Sequence, residues 1–267
     1  MTGDPIRIAT FLAPNMIEVY RFVADYVGQE VGVPTELSVG YSFDQFAAGE
    51  ADVGFICGLP YVQLAREAPR PVELLAAPVL SGERYGGRPI YFSDVIVHVD
   101  SPYRSFPDLR DRSWAFNDPD SHSGYNVTRH RLVNMGETRG FFGRVVEAGS
   151  HQRSIRMVCS GEVDAAAIDS QVLAVELRDH PELAPQLRVI DTLGPAGIQP
   201  VVAASRLPDE LKADIMAALL AMGHDPAARD TLAHGFIERF VPVTDANYDD
   251  VRAMLVAAED ASFLTLK

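Results

Sequence analysis

The densest run of polar, chemically versatile residues is Asn117-Asp118-Pro119-Asp120-Ser121-His122-Ser123-Gly124-Tyr125, which follows the short apolar segment 113–116 and opens a helical pattern. Two hydroxyls, an imidazole and a glycine at a helix mouth suit an oxyanion, because backbone N–H groups and the helix dipole both favour negative charge there. A serine N-cap with loop decoration accounts for the same residues. Gly149-Ser150-His151 is a second turn between a strand pattern and a helix pattern, and its imidazole is either a capping residue or a donor to a phosphoryl or carboxylate oxygen. Asp169-Ser170-Gln171 is a third, following the apolar run Val163-Asp164-Ala165-Ala166-Ala167-Ile168. Taken alone, Asp169 is an N-cap. Three such turns from one sheet, all aimed at one place, describe a ligand site better than three unrelated caps. His122, His151 and Asp169 would also suit zinc or iron, yet ligand hydrogen bonding explains all three, so neither metal nor cofactor is expected.

These turns need strands to carry them. The first 95 residues alternate short apolar runs with helical spacing, as βα units around a largely parallel sheet do. Strands are predicted at 6–11, 35–39, 51–57 and 72–76, with helices from Pro14, from about Phe43, and over 59–68. The run from Ile90 to Val99 reads as one long strand, fit to carry the chain between two lobes. A second α/β series then gives strands at 113–116, 144–147 and 163–168, and helices after Gly124, Ser150 and Asp169. Strands at 187–190 and 201–204 bracket the turn-rich stretch 191–200, the expected return crossing. Helices from Pro208-Asp209 and over 248–258 complete the chain, with no internal repeat discerned. Each of Phe11, Tyr41, Tyr61, Tyr91 and Trp114 fits either a cleft wall or a core.

Composition narrows the possibilities. With 267 residues and 47% hydrophobic content, the chain suits two domains of about 100–150 residues. A formal charge of −14 opposes nucleic-acid binding, though a few helix-start amides can still hold a small anion. Cys57 and Cys159 show no metal spacing and read as buried small hydrophobes. No window approaches a membrane span of roughly 18 apolar residues. The first residues carry no secretory signal, so either a leader was removed or Met1 is a cytoplasmic start. No G-x-S-x-G, H-E-x-x-H, P-loop or strand-linked G-x-G-x-x-G motif appears, leaving catalytic readings without a motif.

Asp108-Leu109, Trp114-Ala115-Phe116, the Ser121 to Tyr125 segment, Phe141-Phe142, Gly149-Ser150-His151, Ser160-Gly161-Glu162-Val163-Asp164, Asp169 and Pro200 follow in a set order. Gly49-Glu50-Ala51-Asp52-Val53 and Tyr91-Phe92-Ser93 belong to the same series. In that order and spacing the chain resembles the phosphonate/phosphite substrate-binding proteins of ABC transporters. The resemblance implies an α/β, two-lobed type II periplasmic-binding fold, each lobe a mixed, mostly parallel sheet flanked by helices, with a ligand cleft between lobes that closes on a small solute. Its phosphoryl-binding motif falls on Ser121, His122, Ser123, Gly124 and Tyr125, with His122 standing where a Thr is usual, and its Gly-Ser-His histidine falls on His151. Tyr91 and Tyr41 match cleft tyrosines. Gln171 and Gln199 stand where aminoalkylphosphonate binders tend to carry carboxylates, so an ammonium-bearing ligand would lose charged partners unless Asp169 or Asp94 substitutes.

The resulting expectation is a solute-binding protein, not an enzyme, that captures a small oxyanion and delivers it to an ABC permease. Lobe 1 is expected to comprise 1–95 and 196–267 and lobe 2 to comprise 96–195, with crossings near 93–99 and 190–199. Expected ligand contacts are Ser121, His122, Ser123, Gly124, Tyr125, His151, Tyr91, Asp169, Gln171, Gln199 and Tyr41. The alternative is a cytoplasmic protein of the same fold: a lyase resembling chorismate dehydratase, with His122, His151 and Asp169 as acid and base, or a small-molecule sensor.

Overall fold

The computed structural model describes residues 4–266 and resolves into two compact units, each built from separate stretches of chain. One takes residues up to Ile90 together with Gly197–Asp249; the other takes Tyr91–Ala196 together with Asp250 onward. In chain order the first stretch gives β1 (Ile6–Thr10), α1 (Ile17–Val31), β2 (Thr35–Val39), α2 (Asp44–Ala47), β3 (Val53–Phe55), α3 (Gly58–Leu64) and β4 (Val72–Leu80). Then come β5 (Ile90–His98), β6 (Ser113–Phe116), α4 (Val127–Asn134), β7 (Arg144–Glu147), α5 (His151–Cys159), β8 (Ala165–Asp169), α6 (Ser170–Asp179) and β9 (Leu187–Gly197). The last are β10 (Val201–Ala204), α7 (Asp209–Ala221), α8 (Pro226–Leu232), β11 (Ile237–Pro242) and α9 (Asp249–Asp260).

In the first unit β1, β2 and β3 run parallel, β10 lies antiparallel between β3 and β4, and β11 closes the edge against β4. Four of the six strands therefore share a direction. Helix α1 buries Tyr20, Val23, Ala24 and Val27, a helical stripe. Gly32 ends it at φ 73°, its N–H donating to the Gly28 carbonyl.

The second sheet has the order β7-β6-β8-β5-β9, with β6 parallel to β7 and β8, and β5 antiparallel to β8. Both of its faces are covered. Trp114 and Phe116 project to a core with Phe106, Phe141 and Phe142, where the Trp114 and Phe142 rings stack at 4.7 Å. Ala115 between them projects to the opposite core, with Ile155, Val158, Ala166 and Ile168. This period of two explains why these strands read as continuous apolar runs.

The units repeat one another. The arrangement β2-β1-β3 with antiparallel β10 matches β7-β6-β8 with antiparallel β5. A short motif recurs with it: Gly49-Glu50-Ala51-Asp52 precedes β3 and Gly161-Glu162-Val163-Asp164 precedes β8. Each Asp carboxylate accepts from the start of the adjacent parallel strand, Asp52 from the Arg7 N–H at 2.9 Å and Asp164 from the Ser113 N–H at 2.8 Å. Asp52 also binds the Arg7 and Arg206 guanidiniums, and Asp164 the Ser113 and Tyr103 hydroxyls. Both motifs thus staple two strands together, a repeat too short to stand out in the sequence.

Several expectations are corrected. The unit boundaries fall after Ile90 and Ala196, and the chain crosses a third time after Asp249, entering the second unit for the second time. Residues 250–266 therefore leave the first unit, because Met254, Ala261, Phe263 and Leu266 join the aromatic core around Phe106 and Trp114. The stretch 191–197, expected as turn, continues β9; as the outermost strand of its sheet β9 tolerates Pro195, which has no N–H to give. Helix α8 and edge strand β11 carry too many charges and small residues to have been anticipated. Cys57 and Cys159 are only partly buried and are not joined in a disulfide. Among the described residues no helix is long and apolar enough to cross a membrane.

Candidate functional site

Because β6, β7 and β8 are parallel neighbours, the turns that follow them lie along one edge of the second sheet. Those turns carry Ser121–Tyr125, Ser150-His151 and Asp169–Gln171. Strand β5 runs the opposite way, so its beginning reaches the same edge, with Ser93 opposite Asp169. Tyr91 there packs with its ring centroid 6.3 Å from that of His122. Ser121, His122, Ser123, Gly124, Tyr125, His151, Tyr91, Asp169 and Gln171 are all buried in this unit. Tyr41 and Gln199 belong to the first unit. Tyr41 follows β2, is 76% exposed, and donates its hydroxyl to the Glu50 carboxylate; Gln199 is half-buried just before β10.

The chain does not enter α4 directly. Residues His122–Asn126 form one π-helical turn, in which the Asn126 N–H donates to the Ser121 carbonyl and the Val127 N–H to the His122 carbonyl. Such wide turns cluster at functional sites. Ser121 caps the turn, its Oγ accepting from the Gly124 N–H at 3.1 Å, so this amide, expected to face a ligand, is held by its own cap. Ser93 donates its hydroxyl to the Ser123 carbonyl and ties the turn to β5. Glycine at 124 leaves room for Asn117: a Cβ there would lie 1.8 Å from Asn117 Oδ1 and 3.3 Å from His151 Cε1, so any larger residue must displace the Asn117 side chain.

Ser123 Oγ lies 3.0 Å from His151 Nε2. The other ring nitrogen of His151, Nδ1, is buried and has no hydrogen-bond partner in the structure. Burial holds both His151 and His122 at a pKa of about 3, with repulsion from His130 and Arg129 adding to the effect on His122. Both imidazoles are therefore neutral near pH 7, each with one N–H donor and one acceptor nitrogen. Asp169 Oδ1 accepts from the Gln171 and Val172 N–H groups at 2.8 and 3.2 Å and caps α6, while the Ser170 hydroxyl accepts from the Phe92 N–H. Asp94 accepts from the Thr192 hydroxyl at 3.0 Å, which engages the carboxylate considered above as an ammonium partner. The described residues contain no group of three or more His, Cys, Asp or Glu placed to hold a metal.

Two residues behind the turn escaped the sequence reading, and a third was read only as the start of the polar run. Asn126 Nδ2 lies 3.2 Å from His122 Nδ1, and Asn126 Oδ1 accepts from the Arg129 guanidinium at 2.7 Å. Arg129 stands over the Tyr125 ring at 5.0 Å and donates to the Leu264 carbonyl at 3.1 Å. Tyr125 Oη in turn contacts the Leu264 carbonyl and accepts from the Leu266 N–H at 3.2 Å. Asn117 is the third, its Oδ1 buried against Gly124 without a hydrogen-bond partner. The i, i+4 and i, i+3 spacing of His122, Asn126 and Arg129 is the signal the sequence carries for them, interleaved with the apolar positions of the same helical segment.

Solved structures share this architecture. A binding protein component of an ABC phosphonate transporter from Pseudomonas aeruginosa superposes with a TM-score of 0.84 at 19% identity, covering 98% of this chain and 89% of that one. PhnD1 from Prochlorococcus marinus, in complex with methylphosphonate, gives 0.79 at 15% identity over 97% and 98%. A Xanthomonas citri protein bound to ATP gives 0.73 at 17% identity over 99% and 100%. At such identities the likeness speaks for the fold alone. The family assignment comes from the sequence itself: residues 8–248 match the periplasmic substrate-binding proteins of phosphonate ABC transporters, a family of solute carriers and not of enzymes, and the chain belongs to that family.

Proposed function

We propose that this protein holds a small phosphonate-class oxyanion at the carboxyl edge of its second sheet and hands it to an ABC permease from the periplasmic side of the membrane. One observation carries the reading: three helix starts share one sheet edge, and a buried imidazole there, His151, keeps a nitrogen without a protein partner. A ligand oxygen would complete it. The Ser121 hydroxyl, first-turn amides other than that of Gly124 and the two neutral histidines supply hydrogen bonds without a net positive charge; the Ser123 hydroxyl donates to His151 Nε2, which leaves the ring hydrogen on Nδ1 for the anion, while Tyr91, Asp169 and Gln171 shape what surrounds it. The assignment of Tyr41 and Gln199 to the same ligand rests on the family resemblance and is tested by their alanine variants.

Calorimetric titration with methylphosphonate, phosphite, phosphate, sulfate and acetate tests the reading. Binding of a tetrahedral phosphorus oxyanion is expected, with Ser121→Ala and Ser123→Ala each weakening it by roughly tenfold to a hundredfold. Methylphosphonate should bind more tightly than 2-aminoethylphosphonate, since Gln171 carries no charge for an ammonium. Unchanged affinity in both serine variants refutes the assignment. Recovery of the full gene product in an osmotic-shock fraction, and its stimulation of phosphonate uptake by the matching permease, test the transport role.

A further inference from the structure

We propose that Arg129 and Asn126 form a relay that fixes His122 as the tautomer with its proton on Nε2, making it a dedicated hydrogen-bond donor. The geometry leaves little freedom. A guanidinium can only donate, so the atom of Asn126 that lies 2.7 Å from Arg129 must be its oxygen. The amide nitrogen then faces His122 Nδ1 at 3.2 Å, and that nitrogen, which only donates, requires a lone pair on Nδ1. A neutral imidazole with a lone pair on Nδ1 carries its hydrogen on Nε2.

The relay is itself locked. Asn126 is fully buried, and Arg129 is held from the far side by the Leu264 carbonyl and the Tyr125 ring. The hydrogen-bond acceptors of Arg129 are neutral oxygens, and the Glu259 carboxylate acts on its charge through space. Asn126 and Arg129 are positioning residues: they act on a ligand through His122. The histidine that replaces the threonine usual in the family would thereby keep one function of that hydroxyl, donation, and lose the other, acceptance.

The consequence for ligand choice rests on the oxyanion reading above, whereas the tautomer does not. Long-range proton–nitrogen NMR correlation on the unligated protein, with His122 assigned through a His122→Gln variant, reads the tautomer directly. The wild type should show a protonated Nε2 and a bare Nδ1. Asn126→Asp is nearly isosteric but presents an acceptor to both neighbours, and should move the proton to Nδ1 or protonate the ring. Arg129→Met should give a mixture, and Arg129→Lys should restore the wild-type signature. A wild-type His122 protonated on Nδ1, or an unaltered tautomer in Asn126→Asp with a well-dispersed spectrum, overturns the relay. In parallel, methylphosphonate affinity should fall roughly tenfold to a hundredfold in Asn126→Asp and recover with Arg129→Lys relative to Arg129→Met. A switched tautomer with unchanged affinity would refute the role in recognition while leaving the relay intact, and absence of methylphosphonate binding to the wild type would refute the oxyanion reading alone.

Discussion

Removing the Ser123 hydroxyl should expose how much of the site is held by one hydrogen bond. His151 is 6% exposed, and its ring has a single polar partner, Ser123 Oγ at 3.0 Å from Nε2; Nδ1 has none. In Ser123→Ala the buried imidazole is left without any hydrogen bond, at a cost of about 1–3 kcal/mol for an unsatisfied polar group. His151→Phe strands the serine hydroxyl in the same way. Replacing both removes both orphaned groups, so the double variant should be less destabilised than the sum of the singles, by about 1–2 kcal/mol. Guanidinium unfolding of the unligated proteins at pH 7.5, followed by fluorescence and circular dichroism with a common slope, measures this. Additivity within about 0.5 kcal/mol would refute the claim that these two side chains satisfy each other. The double variant should also fail to bind methylphosphonate while remaining folded, separating recognition from stability.

Acid should weaken the protein through the two site histidines. Their folded pKa of about 3 lies below the ordinary 6.5, so the unfolded chain binds more protons between those values. Stability is therefore complete above about pH 6.5 and is lost as pH falls toward 3, by up to about 1.4 kcal/mol per pH unit for each histidine. Urea midpoints between pH 6.5 and 5 should fall in the wild type and less steeply in His151→Phe; equal slopes would contradict the buried neutral ring. Gly124→Ala should cost about 1–2 kcal/mol by driving Asn117 from its place, and in an Asn117→Ala background the cost should shrink, as denaturation of the four proteins would show. Asp169→Ala strips α6 of its cap and should cost about 1 kcal/mol in the same assay, with Asp169→Asn losing much less.

Much of this was legible because it depends on local pattern. Strand Ser113–Phe116 declared itself by its apolar run, and Ser150 and Asp169 as caps by residue type and position. That three turns share one sheet edge followed from reading three parallel strands in one sheet. What escaped depends on partners distant in sequence. Leu266 packs with Trp114 and its neighbours for reasons no window around Leu266 contains. The short Gly-Glu-X-Asp repeat gains meaning only when Asp52 is seen against Arg7 and Asp164 against Ser113. Arg129 on a helix reads as a solvated charge, and its burial is set by the returning C-terminal segment. Edge strand β11 mixes charges and proline with its apolar residues because one of its sides meets no neighbouring strand, which is what blurs its pattern.

The contacts of Leu264 and Leu266 with Tyr125 and Arg129 make the last described residues a rear buttress of the π-helical turn at 122–126. Proteolytic trimming that removes residues from Ser262 onward, or a bulky reporter spliced in at that point, would take the lone pairs that steady Arg129 away from it. On the proposed function, methylphosphonate affinity would then respond to an edit made some 140 positions downstream of Ser121 and Ser123, and the placement of an affinity tag becomes an experimental variable for anyone measuring binding.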